Sequence, residues 1–317
     1  MPRFDFAIAG ELNLDLILYG LPPELPPERE LLADRMGLTL GSSSAIVAHN
    51  LASLGNRVGF QSLIGEDPLG QIAVERLAQS GVDTSQVRKS KSASTGLTVI
   101  LQREGWRNIL TYAGTIARLT LDDLDLDYLS DARHFHLSSY YLQAGLRPHV
   151  PELFRRLKAA GLTISLDTND DPDDRWGDDL RQVLRHVDVL LPNRWEACRL
   201  AATDNLEAAL EKLSEMVPLV VVKLGAEGAI AMHNNEKIES SALRVEMVDP
   251  IGAGDSFDAG FLHAYVRGLG LKECLAAGNA AGALCATRVG GTEAFRDREH
   301  REDFFRQHCP LLASPPR

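Results

Sequence analysis

The chain predicts an α/β fold: a mainly parallel sheet covered by helices on both faces, with a small separate β-sheet beside it. Three observations carry that expectation. From Ala132 onward, short apolar runs alternate with helical segments, the rhythm of parallel strands joined by helical crossovers. A glycine-rich turn at Gly252–Gly254 opens directly into an apolar, proline-free helix. Two early extended stretches, around 12–20 and 95–114, break the strand–helix rhythm and read as a sheet of their own.

The elements follow in order. Phe4 to Gly10 reads as a buried strand, and Asn13 and Asp15 then share one side of an extended chain. Leu21 to Pro27 is a proline-rich loop, and Ala45 to Leu54 a helix ended by Gly55. Val58–Ile64 is a strand and Asp67–Ser80 a helix. Thr95–Leu101 and Asn108–Tyr112 alternate like a hairpin turning at Glu104-Gly105. Further strands are expected at 134–138, 162–167, 187–191, 219–223, 229–233 and 244–248. Helices are expected at 150–160, 178–186, 196–201, 206–216, 255–266 and 276–288. No internal repeat or low-complexity tract interrupts the pattern.

With 317 residues, 44% of them hydrophobic and 24% charged, one sizeable core is within reach, and a single domain over 1–317 is expected. Forty-four acidic against 33 basic residues leave a net charge of −11, which argues against nonspecific binding to nucleic acid or anionic membranes. Cys198, Cys274, Cys285 and Cys309 form no CxxC pair, so reduced thiols are expected. No apolar run nears the ~20 residues of a membrane span, and the chain opens straight into a strand. The expectation is a soluble cytoplasmic protein.

The most informative segment is Asp249-Pro250-Ile251-Gly252-Ala253-Gly254-Asp255. A helix N-terminus presents unpaired N–H groups and a positive dipole end, which suits an anion. A carboxylate at the same place suits a general base that takes a hydroxyl proton while the amides hold a transferred phosphoryl group. The plainer reading makes Asp255 a helix cap. Other signals follow strands or precede helices. Gly41-Ser42-Ser43-Ser44 allows close approach of a hydroxylated ligand, or simply caps a helix. Asn193 and Glu196, three apart on a first helical turn, could order water around Mg²⁺ or form a capping pair. Lys223-Leu224-Gly225 through Gly228 suggests a turn beside a flat ligand such as a purine, or a plain turn. Asp167-Thr168-Asn169 ends a strand on the ligand edge, and Asp170, Asp171, Asp173 and Asp174 read as a solvated charge run. The histidines show no zinc-hydrolase spacing, although His134 and His136 share a strand face. A GxxxxGK[ST] loop is absent, and no GxGxxG follows the first strand.

In this order, these segments resemble the PfkB or ribokinase-like family of carbohydrate kinases, from about Phe4 to Gly291. Gly252–Asp255 is similar to the family's C-terminal signature and Gly41–Gly55 to its N-terminal one. Gly65–Gly70, Asn193 with Glu196, and Lys223–Gly228 match intermediate landmarks. The resemblance implies a three-layer α/β/α sandwich with a small β-sheet lid, formed by about 12–40 and 92–118. It implies transfer of the γ-phosphate of ATP to a sugar-like alcohol, usually a terminal CH₂OH. Asp255 then matches the base, and the amides of Gly252, Ala253 and Gly254 the anion hole. Asn13, Asp15, Gly41 and Ser42 match substrate-binding positions, and Asn193 and Glu196 the Mg²⁺ and phosphate region. Lys223, Gly225, Gly228, Gly254 and Asn279 match positions around the nucleotide. Asp249, Ile251, Arg288 and Gly290 fall where many members hold a monovalent cation such as K⁺. Lid-to-lid homodimers are common in the family, and the apolar lid segments point the same way.

Four departures stand out. Ile46 replaces a sugar-binding Asn, Ser42 the second Gly of a pair, Pro250 and Ile251 two threonines, and Asp170 an Arg. A nucleoside kinase, a sugar-binding regulator without activity, and a nicotinamide dehydrogenase are the rival readings; the last lacks its glycine fingerprint.

Overall fold

A computed structural model describes residues 1–103, 106–177 and 179–313. Thirteen strands are found among them: β1 (Phe4–Ala9), β2 (Leu14–Tyr19), β3 (Arg35–Leu40), β4 (Val58–Gly65), β5 (Asp83–Ser90), β6 (Leu97–Arg103), β7 (Trp106–Tyr112), β8 (Ala132–Leu137), β9 (Thr163–Leu166), β10 (Val189–Leu190), β11 (Leu219–Lys223), β12 (Ala229–His233) and β13 (Glu236–Ser240). The helices are α1 (Ser43–Ser53), α2 (Pro68–Gln79), α3 (Leu126–Ser130), α4 (Val150–Ala159), α5 (Asp179–Leu184), α6 (Arg194–Leu200), α7 (Leu206–Ser214), α8 (Ala253–Val266), α9 (Leu271–Ala286), α10 (Glu293–Arg296) and α11 (Arg298–His308).

Nine strands form the large sheet in the order β13-β12-β11-β10-β9-β8-β1-β4-β5. Every pair from β11 to β5 is parallel, while β12 and β13 add an antiparallel edge. Both faces are dry. On one side α1, α2, α8, α9 and α11 pack through Leu51, Leu77, Phe261, Leu284 and Phe305. On the other, α3 to α7 pack through Leu129, Phe154, Val183, Ala197 and Leu210. Burial on both faces explains why the central strands read as nearly continuous apolar runs.

The remaining strands form a second sheet in the order β3-β2-β6-β7. Its inner side meets the body through Ile17, Ile100 and Ile251, and Tyr19 donates to Asp249 at 3.0 Å. At the far edge every residue of β7 is exposed.

Two expectations need correction. Arg244 to Val248 is not a strand: it runs as a loop in which the Val248 and Asp249 amides both donate to the Ala286 carbonyl, at 2.8 and 3.3 Å. Glu236–Ser240 is the edge strand instead. Asp171 is not solvated; its buried carboxylate accepts from the backbone of Asp173, Arg175 and Trp176 and shapes the acidic loop. The expected turn at Glu104-Gly105 and helix start at Asp178 lie outside the described residues. Among the described residues no helix is long and apolar enough to cross a membrane.

Candidate active site

The first turn of α8 lies over the C-terminal ends of the strands, where loops from both sheets meet. Gly252 has φ +75°, and a Cβ there would stand 2.3 Å from the Gly291 Cα, so both conformation and space demand glycine. The Ala253 amide turns back onto the Pro250 carbonyl at 3.2 Å. Among the described residues the amides of Gly252, Gly254 and Asp255 have no protein acceptor, so three donors remain for an anion. Ala253 thus drops out of the expected trio, and the Asp255 amide takes its place.

Asp255 accepts from the Ser43 hydroxyl at 2.6 Å. Burial raises its pKa to about 6; the Ser43 bond works the other way, and the charges of Asp167 and Glu11 add to the rise. That is the range of a base ready to take a proton near neutrality.

Beside this turn, the ends of β1 and β2 and the start of α1 bring together the residues expected to bind an acceptor. Asp15, on β2, is buried, and its pKa rises to about 7 through burial and the nearby charges of Asp255 and Asp249. A Cβ on Gly41 would fall 2.0 Å from Asp15 Oδ1, so this glycine lets the carboxylate lie against the turn. Asn13 is buried next to it, its carbonyl accepting from the Gly41 amide at 3.0 Å. Ser42 departs from expectation. At φ +69° it caps α1 and donates to the Glu11 carbonyl, so its hydroxyl is already used. Ile46 faces Gly252 and Gly291, filling the space under the α8 turn rather than lining the acceptor side.

On the opposite side, Asn193 and Glu196 form the capping pair: the Asn193 amide donates to Glu196 Oε2 at 2.8 Å, and Glu196 N–H donates to Asn193 Oδ1 at 2.9 Å. Capping does not require burial, yet Glu196 is only 6% exposed, and burial together with Asp167 lifts its pKa to about 8. A half-satisfied buried carboxylate of this kind suits a hydrated divalent cation. Among the described residues no three acidic, His or Cys side chains form a metal cage, so such a cation would take most of its ligands from water and phosphate.

Lys223 ends β11 and turns its side chain into the acidic cluster. Its ammonium lies between Asp167 at 2.6 Å and Asp258 at 3.1 Å, beneath Gly254. Burial opposes the charge, but Asp167, Asp258 and Glu196 outweigh it and hold the lysine pKa above its usual range. Asp167 is correspondingly lowered, whereas burial raises Asp258. The ammonium thus favours the ionised form of Asp167, its nearer partner. Gly228 (φ +106°) packs on the backbone of Ser240–Ala242, and Asn279 spends its amide nitrogen on Ser240 and Ser241. Gly225 (φ +59°) stays open on one side.

The expected monovalent-cation residues adjoin one another around Asp249 and Cys285. Asp249 accepts from Ile251 N–H, Gly290 N–H and Tyr19 O–H, at 3.0 to 3.1 Å. The Cys285 thiol sits 3.4 to 3.8 Å from the carbonyls of Ile251, Gly290 and Gly291. Asn50 also donates to the Gly291 carbonyl, and the Arg288 side chain is turned away to Asp297. One thiol proton serves only one of these three carbonyls at a time, so the others keep lone pairs free.

Glu11 and Asp258 had no place in the sequence reading, and Ser43 entered it only within the Gly41–Ser44 turn. Asp258 was the accessible one: it stands one helical turn after Asp255, so the two carboxylates share a face of α8. Nothing local marks Glu11, whose carboxylate receives Ser44 N–H and Oγ–H at 3.1 and 2.7 Å.

Residues 4–298 match the pfkB family carbohydrate kinases. The chain is 31% identical to a nucleoside kinase of Methanothermobacter thermautotrophicus over 85% of each chain. In fold it is similar to Arabidopsis thaliana ribokinase complexed with ribose and ATP: TM-score 0.81 and 26% identity, covering 99% of this chain and all of the other. It is likewise similar to an Escherichia coli ribokinase II in complex with ATP and Mg²⁺: TM-score 0.80 and 27% identity, covering 96% of this chain and all of the other. The fold and the α8 site define a ribokinase-like protein. The chain belongs to the pfkB family of carbohydrate kinases.

Proposed function

We propose that the protein phosphorylates a hydroxyl group, in the first place a terminal CH₂OH, of an uncharged sugar or sugar-like acceptor at the expense of ATP. The carrying observation is one turn of helix that presents both a carboxylate of raised pKa and three unpaired N–H groups. Asp255 takes the proton of the acceptor hydroxyl as its oxygen forms a bond to the γ-phosphorus. The bond from that phosphorus to the β–γ bridging oxygen breaks, ADP leaves, and the proton passes from Asp255 to solvent. The amides of Gly252, Gly254 and Asp255 hold the oxygens of the moving phosphoryl group. Bound Mg²⁺, its water shell held by Asn193 and Glu196, would neutralise phosphate charge.

The acceptor's neutrality follows from the residues nearby. Glu11, Asp15 and Asp255 all bring carboxylates to that side, and Lys223 is committed to Asp167 and Asp258. An acceptor already carrying phosphate or carboxylate would meet only like charge there. A nucleoside, with its ribose CH₂OH, satisfies the same chemistry and is the second reading, favoured by the nucleoside kinase relative.

The test is ATP consumption by purified protein against pentoses, hexoses, keto-acid sugars and nucleosides, followed by the Asp255→Asn variant on the best acceptor. Turnover should fall about 10²–10⁴-fold in the variant with nucleotide binding kept. Near-wild-type turnover would reduce Asp255 to a helix cap. A preference for acidic acceptors would overturn the charge argument.

A further inference from the structure

Asp255 is oriented by a chain of hydrogen bonds whose direction is set by a backbone amide. Two loops at the strand ends hold non-glycine residues in left-handed backbone: Ser139 after β8 and Asn169 after β9, both at φ +52°. Such positions are strained and persist only where the surroundings enforce them. They bring the Ser139 amide to Asn169 Oδ1 at 2.7 Å. A backbone N–H can only donate, so Oδ1 must face it and Nδ2 must point the other way. Nδ2 donates to Ser43 Oγ at 3.0 Å. The Asn169 amide also donates to Asp167 Oδ1 at 3.2 Å, anchoring the same residue to the lysine cluster. With an Asn169 proton directed at its oxygen, Ser43 turns its one proton to Asp255 Oδ1 at 2.6 Å.

We propose that Ser43 and Asn169 are positioning residues for the base, engaging Asp255 Oδ1 and leaving Oδ2 as the atom that receives the acceptor proton. The chain joins the ends of β8 and β9 to the starts of α1 and α8, so one rotamer of Asp255 is selected before any ligand arrives. The proposal rests on the kinase reading above. It adds a chemical consequence: the Ser43 proton stabilises the ionised base and keeps it ionised at lower pH than burial alone would allow.

The measurement is the ¹³C titration of the Asp255 carboxyl in ligand-free protein, assigned by its loss in Asp255→Asn, alongside pH profiles of kcat. Ser43→Ala should move the midpoint and the acidic limb of kcat up by about one unit. Turnover at pH 6 should then fall about fivefold and largely return at pH 8.5, with KM for ATP unchanged. Asn169→Ala should shift both in the same direction by less, and Ser43→Thr should restore the wild-type values. An unmoved midpoint, or an equal loss of kcat at every pH, would overturn the proposal and make both residues plain struts. The NMR arm needs no substrate, so a failure here is distinguishable from a failure of the kinase reading. That second failure would appear as full turnover in Asp255→Asn, or as no ATP-dependent acceptor in the screen, whatever the Ser43 midpoint does.

Discussion

At the scale of single residues, the site is assembled from acids that the fold makes uncomfortable. Asp15 illustrates the cost. Its folded pKa of about 7 stands well above its ordinary 3.8, first because it is buried and then because Asp255 and Asp249 are near. Between about pH 4 and 7 the folded chain keeps a proton that the unfolded chain has released, so this group subtracts stability as pH rises through that window. Asp15→Asn, which carries no such proton, should therefore melt higher than wild type at pH 8, with a much smaller gain at pH 5, while losing acceptor binding. Equal gains at both values would mean that Asp15 is ionised throughout. The depressed pKa values of buried His49, His134 and His136 are common to both proteins and cancel in the comparison.

At the scale of elements, the parts of the site that lie on one short stretch were readable. Gly252 to Asp255 spells out its turn, its dipole and its carboxylate within one helical turn, and Asn193 with Glu196 spells out a first turn by spacing alone. Contacts between distant stretches were not readable. Ser43 meets Asn169 across 126 residues and Lys223 meets Asp167 across 56, and periodicity says nothing about either pair. The fold shows the same division. Buried strands announce themselves by apolar runs, whereas β13, with its Glu-Lys-Ile-Glu-Ser sequence, looks like a polar loop until β12 pairs with it. The alternating segment at 244–248 misled because Met247 and Val248 stay exposed, with no strand taking up their backbone. His134 and His136 do share a strand face, but their rings link Thr163, Ser165 and Ser138 at 2.7 Å in a buried uncharged chain rather than hold metal. For α6 the expected outcome is specific. Glu196→Ala should raise the Mg²⁺ concentration needed for half-maximal rate several-fold, and Asn193→Ala less, since the cap it loses typically contributes about 1 kcal/mol to the helix. Unchanged Mg²⁺ dependence in both would leave the pair as a cap only.

At the scale of the whole molecule, the second sheet covers the site with one face and leaves much of the rest uncovered. Trp106, Ile109, Leu110 and Tyr112 of β7 are 53 to 76% exposed, and Met36 of β3 is 63% exposed. An apolar strand edge of this kind is a contact surface waiting for a partner. A two-fold pairing of lids in a homodimer is the expected solution. Light scattering at high micromolar concentration should give twice the chain mass, and replacing Trp106 and Leu110 with lysine should give the monomer. A monomeric wild type with full activity would refute it. The acceptor side carries a consequence of another kind, for how this enzyme could diverge. Gly41 admits no side chain because Asp15 lies where its Cβ would be, and Gly252 admits none because Gly291 does. Mutational drift at those turns is closed. Thr98 is different: it pairs with Asp15 across β6 and β2, its hydroxyl touches that carboxylate, and it is only partly buried. A lineage acquiring a new acceptor would therefore record the change in the strands of the lid while the catalytic turns stayed the same.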